Sequence, residues 1–232
     1  MARLSNITDQ LETSAARPQR MLLFLAAVVV GTLFAAVYLP NWQPALVASI
    51  VGDAPKAYWF LSRGSALVAF GLLWLSMALG VIITNRLARI WPGGPTAFDL
   101  HEYISILGIA FALFHGFILL GDRFINFRIA QIIIPFTTVD YKPLWVGLGQ
   151  LAIYLWVIIM ASFYIRSSLG GKSWRWVHYL SYLVFGLALA HGLAAGTDSA
   201  APWAAGMYWG SAASLLFLLI YRISIKVLPQ TA

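Results

Sequence analysis

The sequence predicts an all-α, polytopic membrane protein built as a six-helix bundle. Three observations carry that prediction. The chain has 232 residues, 61% of them hydrophobic and only 10% charged, against roughly 25% charged in an ordinary soluble domain. A soluble domain of this size cannot hide so much apolar surface, and a disordered chain would not carry it. Six stretches approach the length of about 20 apolar residues that a membrane-crossing helix needs: Met21–Leu39, Ser65–Thr84, Ile104–Leu120, Val146–Ile165, Tyr179–Ala195 and Met207–Tyr221. Finally, the 15 Lys and Arg residues fall in the gaps between these stretches. A nucleic-acid reader would instead gather them on one face.

Residues 1–19 form a polar tail before the first span. That span is too long, and its tail too polar, for a signal peptide. The six spans occupy residues 20–226, and 227–232 form a second short tail. The two tails, loop 2–3 and loop 4–5 hold ten cations: Arg3, Arg17, Arg20, Arg86, Arg89, Arg166, Lys172, Arg175, Arg222 and Lys226. The opposite side holds five: Lys56, Arg63, Arg123, Arg128 and Lys142. By the positive-inside rule both termini lie in the cytoplasm, with the plasma (bacterial inner) membrane as the expected location. With loops and a C-terminal tail this short, no soluble domain is expected in the loops or after span six.

Loop 3–4 is the longest and faces the exterior. Within Phe124–Val139 it carries the apolar run Ile132-Ile133-Ile134-Pro135-Phe136. That run is too short to span, and is expected as a short interfacial or re-entrant helix. Trp42, Trp59, Trp91, Trp145, Trp174, Trp176 and Trp203 fall near span ends. The aromatic belt of membrane proteins accounts for them without a functional role.

The chemistry concentrates in four histidines. His101 and His115 flank span three, and His178 and His191 flank span five, as H-x13-H and H-x12-H. Ionisable residues in a membrane are rare and functional by default. Neutral imidazole is a good axial ligand for haem iron. Fourteen residues rise about 21 Å and fall only about 40° short of four turns, so His101 and His115 share a face at opposite depths. Spans three and five run the same way. His101 therefore pairs with His178 near the cytoplasm, and His115 with His191 near the exterior, each pair clamping one haem b between helices 3 and 5. Thirteen residues fall about 140° short of four turns. Span five thus needs a bend, a π-bulge or different side-chain approach angles, with Gly186 as a candidate locus.

Ala112-Leu113-Phe114-His115-Gly116 and Ala188-Leu189-Ala190-His191-Gly192 repeat the pattern A-L-x-H-G-x5-D, ending at Asp122 and Asp198. Glycine after histidine admits a large planar ring, and both Asp residues are expected at the outer surface. With no Cys in the chain, disulfides, thiolate-ligated iron–sulfur clusters, Cys-zinc sites and covalently attached haem are excluded. A transported metal ion fits poorly, because two of the imidazoles lie too far from the other two.

Haem propionates need cations or hydrogen-bond donors. Arg86, Arg89, Lys172 and Arg175 are inner candidates, and Arg63, Arg123 and Lys142 outer ones; each is also explained by topology alone. Arg63 stands out because it lies inside the boundary of span two, and Arg175 because it sits one turn before His178. Glu102, beside His101, either supports the ligand or is solvated. Gln150, Tyr154, Ser162 and Tyr164 either line a quinone pocket or make interhelical hydrogen bonds.

At these residues the chain resembles the ferric reductase-like transmembrane domain. That family includes ferric reductases, the NADPH-oxidase membrane domain and the haem-binding membrane subunit of bacterial methionine-sulfoxide repair. The resemblance covers most of residues 20–226. It rests on six spans, on paired His at these intervals on spans three and five, and on the segment Trp174-Arg175-Trp176-Val177-His178-Tyr179-Leu180-Ser181-Tyr182. It implies two non-covalent b haems held by the four His, with Arg63 near the outer haem or its acceptor. It also implies electron flow from a cytoplasmic flavoprotein or membrane quinol to an exterior acceptor. Family oxidoreductases often carry a flavin and nicotinamide region after span six. This chain shows no such region and no G-x-G-x-x-G fingerprint, so FAD or FMN is expected only on a partner, with a quinone as a further cofactor candidate. Dihaem cytochromes b of respiratory complexes usually place their ligands on spans two and four. A rival reading is a non-redox transporter or assembly subunit with structural histidines. The histidine intervals and the lack of a broken-helix pair count against it.

Overall fold

The computed structural model describes residues 41–53, 56–85, 87, 92–139 and 141–227, with part of 26–38. Residues 1–55 and 56–232 form two compact units. In the first unit the described residues between 26 and 42 are helical, and α1 covers Pro44–Val51. The predicted first span falls largely outside the described residues.

In the second unit all regular structure among the described residues is helical. Its long helices are α2 (Ala57–Thr84), α3 (Gly94–Ile118), α5 (Pro143–Tyr164), α7 (Gly171–Ala195) and α8 (Pro202–Val227). A 3-10 turn, Leu119–Gly121, ends α3; the short helices α4 (Ile129–Ile133) and α6 (Arg166–Leu169) lie in the connections. Among the described residues, five helices are long and apolar enough to cross a membrane, matching predicted spans two to six. Each begins earlier than the apolar run suggested. His101 is thus two turns inside α3, which starts at Gly94-Pro95. Proline also opens α5 and α8, where its missing N–H costs nothing.

The outward faces carry large apolar side chains, including Tyr103, Ile158, Leu216 and Phe217. Such exposure suits a hydrocarbon solvent, where every backbone group must be satisfied within the helix. Inside, Phe70, Leu73 and Met77 of α2 meet Trp156 of α5, Val184 and Phe185 of α7, and Tyr208 of α8. The Phe70 ring lies 5.6 Å from Phe185 and 4.9 Å from Tyr208. A hydrogen bond of 2.8 Å from Trp74 Nε1 to Ser214 Oγ ties α2 to α8.

The packing is uneven in a telling way. α2 packs along α3, and α5 along α7, but α3 and α7 are not closely packed against each other. The two histidine-bearing helices are thus held apart by their neighbours. Small residues on α2 and α3, among them Ser62, Ser65, Ser76, Ser105 and Gly108, are buried where those helices meet and permit the close approach.

The connection after α3 differs from expectation in register. Its helix occupies Ile129–Ile133, not the run that ends at Phe136. Pro135 disfavours helical backbone at the residue before it, and Ile134 is extended (φ −93°, ψ 118°). α5 then starts from Lys142, held at φ +40°, a left-handed conformation unusual for a residue with a side chain. Lys142 Nζ donates to the Ala194 carbonyl at 2.7 Å, and Tyr141 Oη to the Ala195 carbonyl at 2.6 Å. Both carbonyls end α7 and lack helical partners, and a cation is favoured there. Burial pushes the Tyr141 hydroxyl above its usual range.

Candidate functional site

The slot between α3 and α7 holds all four histidines as two facing pairs. The His101 and His178 ring centroids are 6.2 Å apart, and those of His115 and His191 are 6.1 Å apart. Both pairs have the same interplanar angle, 67°. A direct N–H···N hydrogen bond of about 3 Å would put the centroids about 5.2 Å apart. Two imidazole nitrogens each about 2 Å from one metal ion, with centroids about 1.1 Å further back, give about 6.3 Å. The observed separations match the second arrangement.

Three rings are oriented by carbonyl groups. His115 Nδ1 lies 2.9 Å from the Ser62 carbonyl, His101 Nδ1 2.9 Å from that of Ser76, and His191 Nδ1 2.8 Å from that of Trp145. A carbonyl only accepts, so each Nδ1 carries the proton and each Nε2 keeps a lone pair. Such outer contacts fix ring orientation and raise ligand basicity. The serine hydroxyls complete the arrangement. Ser62 Oγ donates to the His115 carbonyl at 3.0 Å, and Ser105 Oγ to that of His101 at 2.7 Å. His178 instead stacks on Trp174, 5.2 Å between centroids.

The unequal interval on α7 is accommodated without a break. That helix runs continuously through Gly186, with no π turn. Its two rings are supported differently, one by Trp174 of the same helix and one by the α5 backbone. Gly149 makes the second possible: a Cβ there would lie 2.7 Å from His191 Nδ1.

Each pair borders a cavity. The larger, about 470 Å³, contains His115 and His191, with Arg63, Tyr141 and Tyr208 in its wall. The smaller, about 290 Å³, contains His101 and His178, with Glu102, Arg175 and Arg222. Cofactor pockets are about 300–1,000 Å³ and mostly apolar with few placed polar groups. Leu73, Trp156 and Val184 border both cavities and form the partition. Trp156 packs where Gly108 leaves room; a Cβ on Gly108 would lie 2.5 Å from the indole. No group of three or more His, Asp or Glu side chains assembles among the described residues. Each pair offers two imidazoles as possible donors.

The predicted cations divide. Arg63 reaches the larger cavity, but its guanidinium is paired with Asp198: Nε donates to the carboxylate at 2.8 Å, and Nη2 also bonds it. Arg175 lines the smaller cavity. Lys172 and Arg123 are exposed and line neither cavity, and Lys142 is spent on α7. Arg86 and Arg89 lie outside the described residues. The two Asp residues of the repeat part company as well. Asp122 is buried and accepts the Ile125 N–H at 3.0 Å, holding a turn, whereas Asp198 is the partner of Arg63. The Arg63–Asp198 pair ties α2 to the α7–α8 connection and is about one-quarter to one-third exposed. Arg63→Leu is expected to cost about 1–2 kcal/mol, between the surface and buried ranges. Thermal unfolding of Arg63→Leu, Asp198→Leu and the double variant measures it, and a coupling near zero would refute the contribution.

Several contributors escaped the sequence reading. Ser62 and Ser76 stand fourteen residues apart, the same interval as His101 and His115 on the helix packed against them. That matched interval was the available signal. Trp59 and Trp174, assigned to the aromatic belt, line the cavities. Trp145 contributes a backbone carbonyl, which no side-chain pattern can announce. Ser62→Ala removes the hydroxyl but leaves the carbonyl acceptor, so a loss of about 1 kcal/mol in stability is expected, with the His115–His191 pair intact. Thermal unfolding checks the stability, and the imidazole NMR signals of His115 and His191 check the pair.

Comparison of the chain with protein-family models, with curated proteins and with solved structures returned no match.

Proposed function

We propose that this protein is a dihaem b-type cytochrome that carries electrons across a membrane, of the ferric reductase-like kind that its sequence resembles. The observation that carries the reading is the pair of imidazole–imidazole separations, 6.2 and 6.1 Å, each suited to one iron between two rings. Haem bound at each pair would supply a one-electron carrier.

The chain's own residues do the rest. His101 with His178, and His115 with His191, would hold the two irons. The carbonyls of Ser62, Ser76 and Trp145 keep three of the rings in the tautomer that binds metal. Both sites are walled mainly by apolar side chains, and Trp156, Leu73 and Val184 fill the space between them. Arg175 and Arg222 are the cations suited to propionates at the smaller cavity, which by the charge count faces the cytoplasm. At the larger cavity Arg63 is already neutralised by Asp198, so only its remaining N–H groups serve a propionate or acceptor.

In this reading the donor is a separate flavoprotein carrying FAD or FMN, or a membrane quinol. The acceptor is an exterior redox partner, and the membrane is the plasma (bacterial inner) membrane with both termini cytoplasmic. The test is transfer across a sealed vesicle. With reductant inside and ferricyanide outside, the reconstituted protein is expected to reduce ferricyanide, and His191→Ala to abolish this. Reduction that survives loss of any of the four His would contradict the proposal.

A further inference from the structure

The connection between α3 and α5 forms one wall of the larger cavity, through Phe127, Gln131, Ile132 and Ile133. Its five-residue helix α4 ends in carbonyls with no helical partners. Two side chains of α5 take them up. Gln150 Nε2 donates to the carbonyls of Gln131 at 2.7 Å and Ile132 at 2.8 Å, and Tyr154 Oη donates to that of Ile133. The side of α4 that faces the cavity packs Ile132 over Gly116, the residue after His115. Beyond α4, Phe136 lies against Gly147, where no Cβ would fit. Ile129, Ile133 and Ile134 of the segment are exposed, while Phe127 before it and Thr138 after it are buried and anchor its ends.

We propose that Arg128–Phe136 is the wall that selects which acceptors reach the larger cavity, and that Gln150 and Tyr154 latch it in place. The proposal rests on the reading of that cavity as the exit site for electrons. Held in place, Ile132 and Ile133 narrow the approach to the cavity, so that it admits small, uncharged acceptors and turns away bulky hydrophilic ones. Gln150 and Tyr154 are positioning residues: they act through the wall and touch neither imidazole.

The chain has no cysteine, so a single introduced thiol reports the wall without background. Ile132→Cys is expected to react slowly with N-ethylmaleimide. Adding Gln150→Leu and Tyr154→Phe is expected to accelerate labelling at least tenfold. This arm needs no haem. In the second arm, protein reduced with dithionite is reoxidised by ferric-EDTA, which takes one electron per iron, or by benzoquinone. The double variant Gln150→Leu/Tyr154→Phe is expected to speed ferric-EDTA at least tenfold and benzoquinone less than threefold. Tyr154→Phe alone keeps the ring, loses only the hydroxyl, and is expected to give an intermediate acceleration.

Unchanged labelling overturns the latch. Faster labelling with equal acceleration of both acceptors, or with none, overturns acceptor selection. Loss of the His115–His191 haem in Tyr154→Phe would make the contact structural and overturn the proposal too. Wild-type protein without haem overturns the electron-transfer reading and the acceptor role with it, while the labelling arm still decides the latch.

Discussion

Replacement of His191 by alanine is expected to lower the haem content from two per chain to one, and to leave the remaining haem spectrally normal. The pairs are built from separate parts. His191 faces His115 at 6.1 Å across one cavity, and His178 faces His101 at 6.2 Å across another. The partition of Leu73, Trp156 and Val184 lies between them. Loss of one imidazole removes one of two axial bonds and leaves its partner ring facing a void. The other pair keeps the Ser76 carbonyl against His101, on a different stretch of α2, and the Trp174 ring against His178. His115→Ala should behave like His191→Ala, and His101→Ala or His178→Ala should spare the other haem. A pyridine haemochrome assay on each purified variant reads the ratio. Unchanged haem in all four variants, or loss of both haems in each, would refute two independent centres.

The second large effect is expected at a residue with no side chain. Gly149→Ala puts a methyl group 2.7 Å from His191 Nδ1 and 2.8 Å from Cγ, well inside van der Waals contact. The ring must move, and in moving it gives up its 2.8 Å hydrogen bond to the Trp145 carbonyl. An unpaired buried N–H costs about 1–3 kcal/mol, before counting the misdirected Nε2. The expected outcome is substoichiometric or weakly held haem at the His115–His191 pair, with the His101–His178 pair unaffected. Gly186→Ala is the matched control. It lies on α7 between the two ligands, and its Cβ would meet nothing within 4 Å. It should retain both haems and gain up to about 1 kcal/mol in helix stability. Equal haem retention in the two variants would show that Gly149 does not set the position of His191.

The contrast between these glycines shows what could be read from sequence. Gly186 attracted attention because it lies between two histidines of awkward spacing, yet α7 passes through it unbroken. Gly149 attracted none, because its role depends on a helix distant in sequence. The long apolar helices were legible because composition and length alone set them. The two histidine pairs were legible because depth along parallel helices is arithmetic on the rise per residue. Their supports were not, apart from the Ser62–Ser76 interval. Trp145 acts through its backbone, and Gln150 and Tyr154 bind carbonyls of a short helix whose register Pro135 shifts. The cations were read least well. Arg63, expected near the outer haem or its acceptor, lines the larger cavity, and its pairing with Asp198 depends on how the α7–α8 connection folds back. Asp122 shares a motif with Asp198, yet it turns inward to hold the chain.

The central claim is that two imidazole pairs each hold one non-covalent haem b. The most direct test is the reduced-minus-oxidised absorption spectrum of the purified wild-type chain, with haem and protein quantified on the same sample. The claim predicts b-type α-bands and a stoichiometry close to two haems per chain, all extractable by acidified acetone as expected for haem held without a covalent bond. Purified, folded protein that shows no α-band, and takes up no haem when hemin is added, would contradict it.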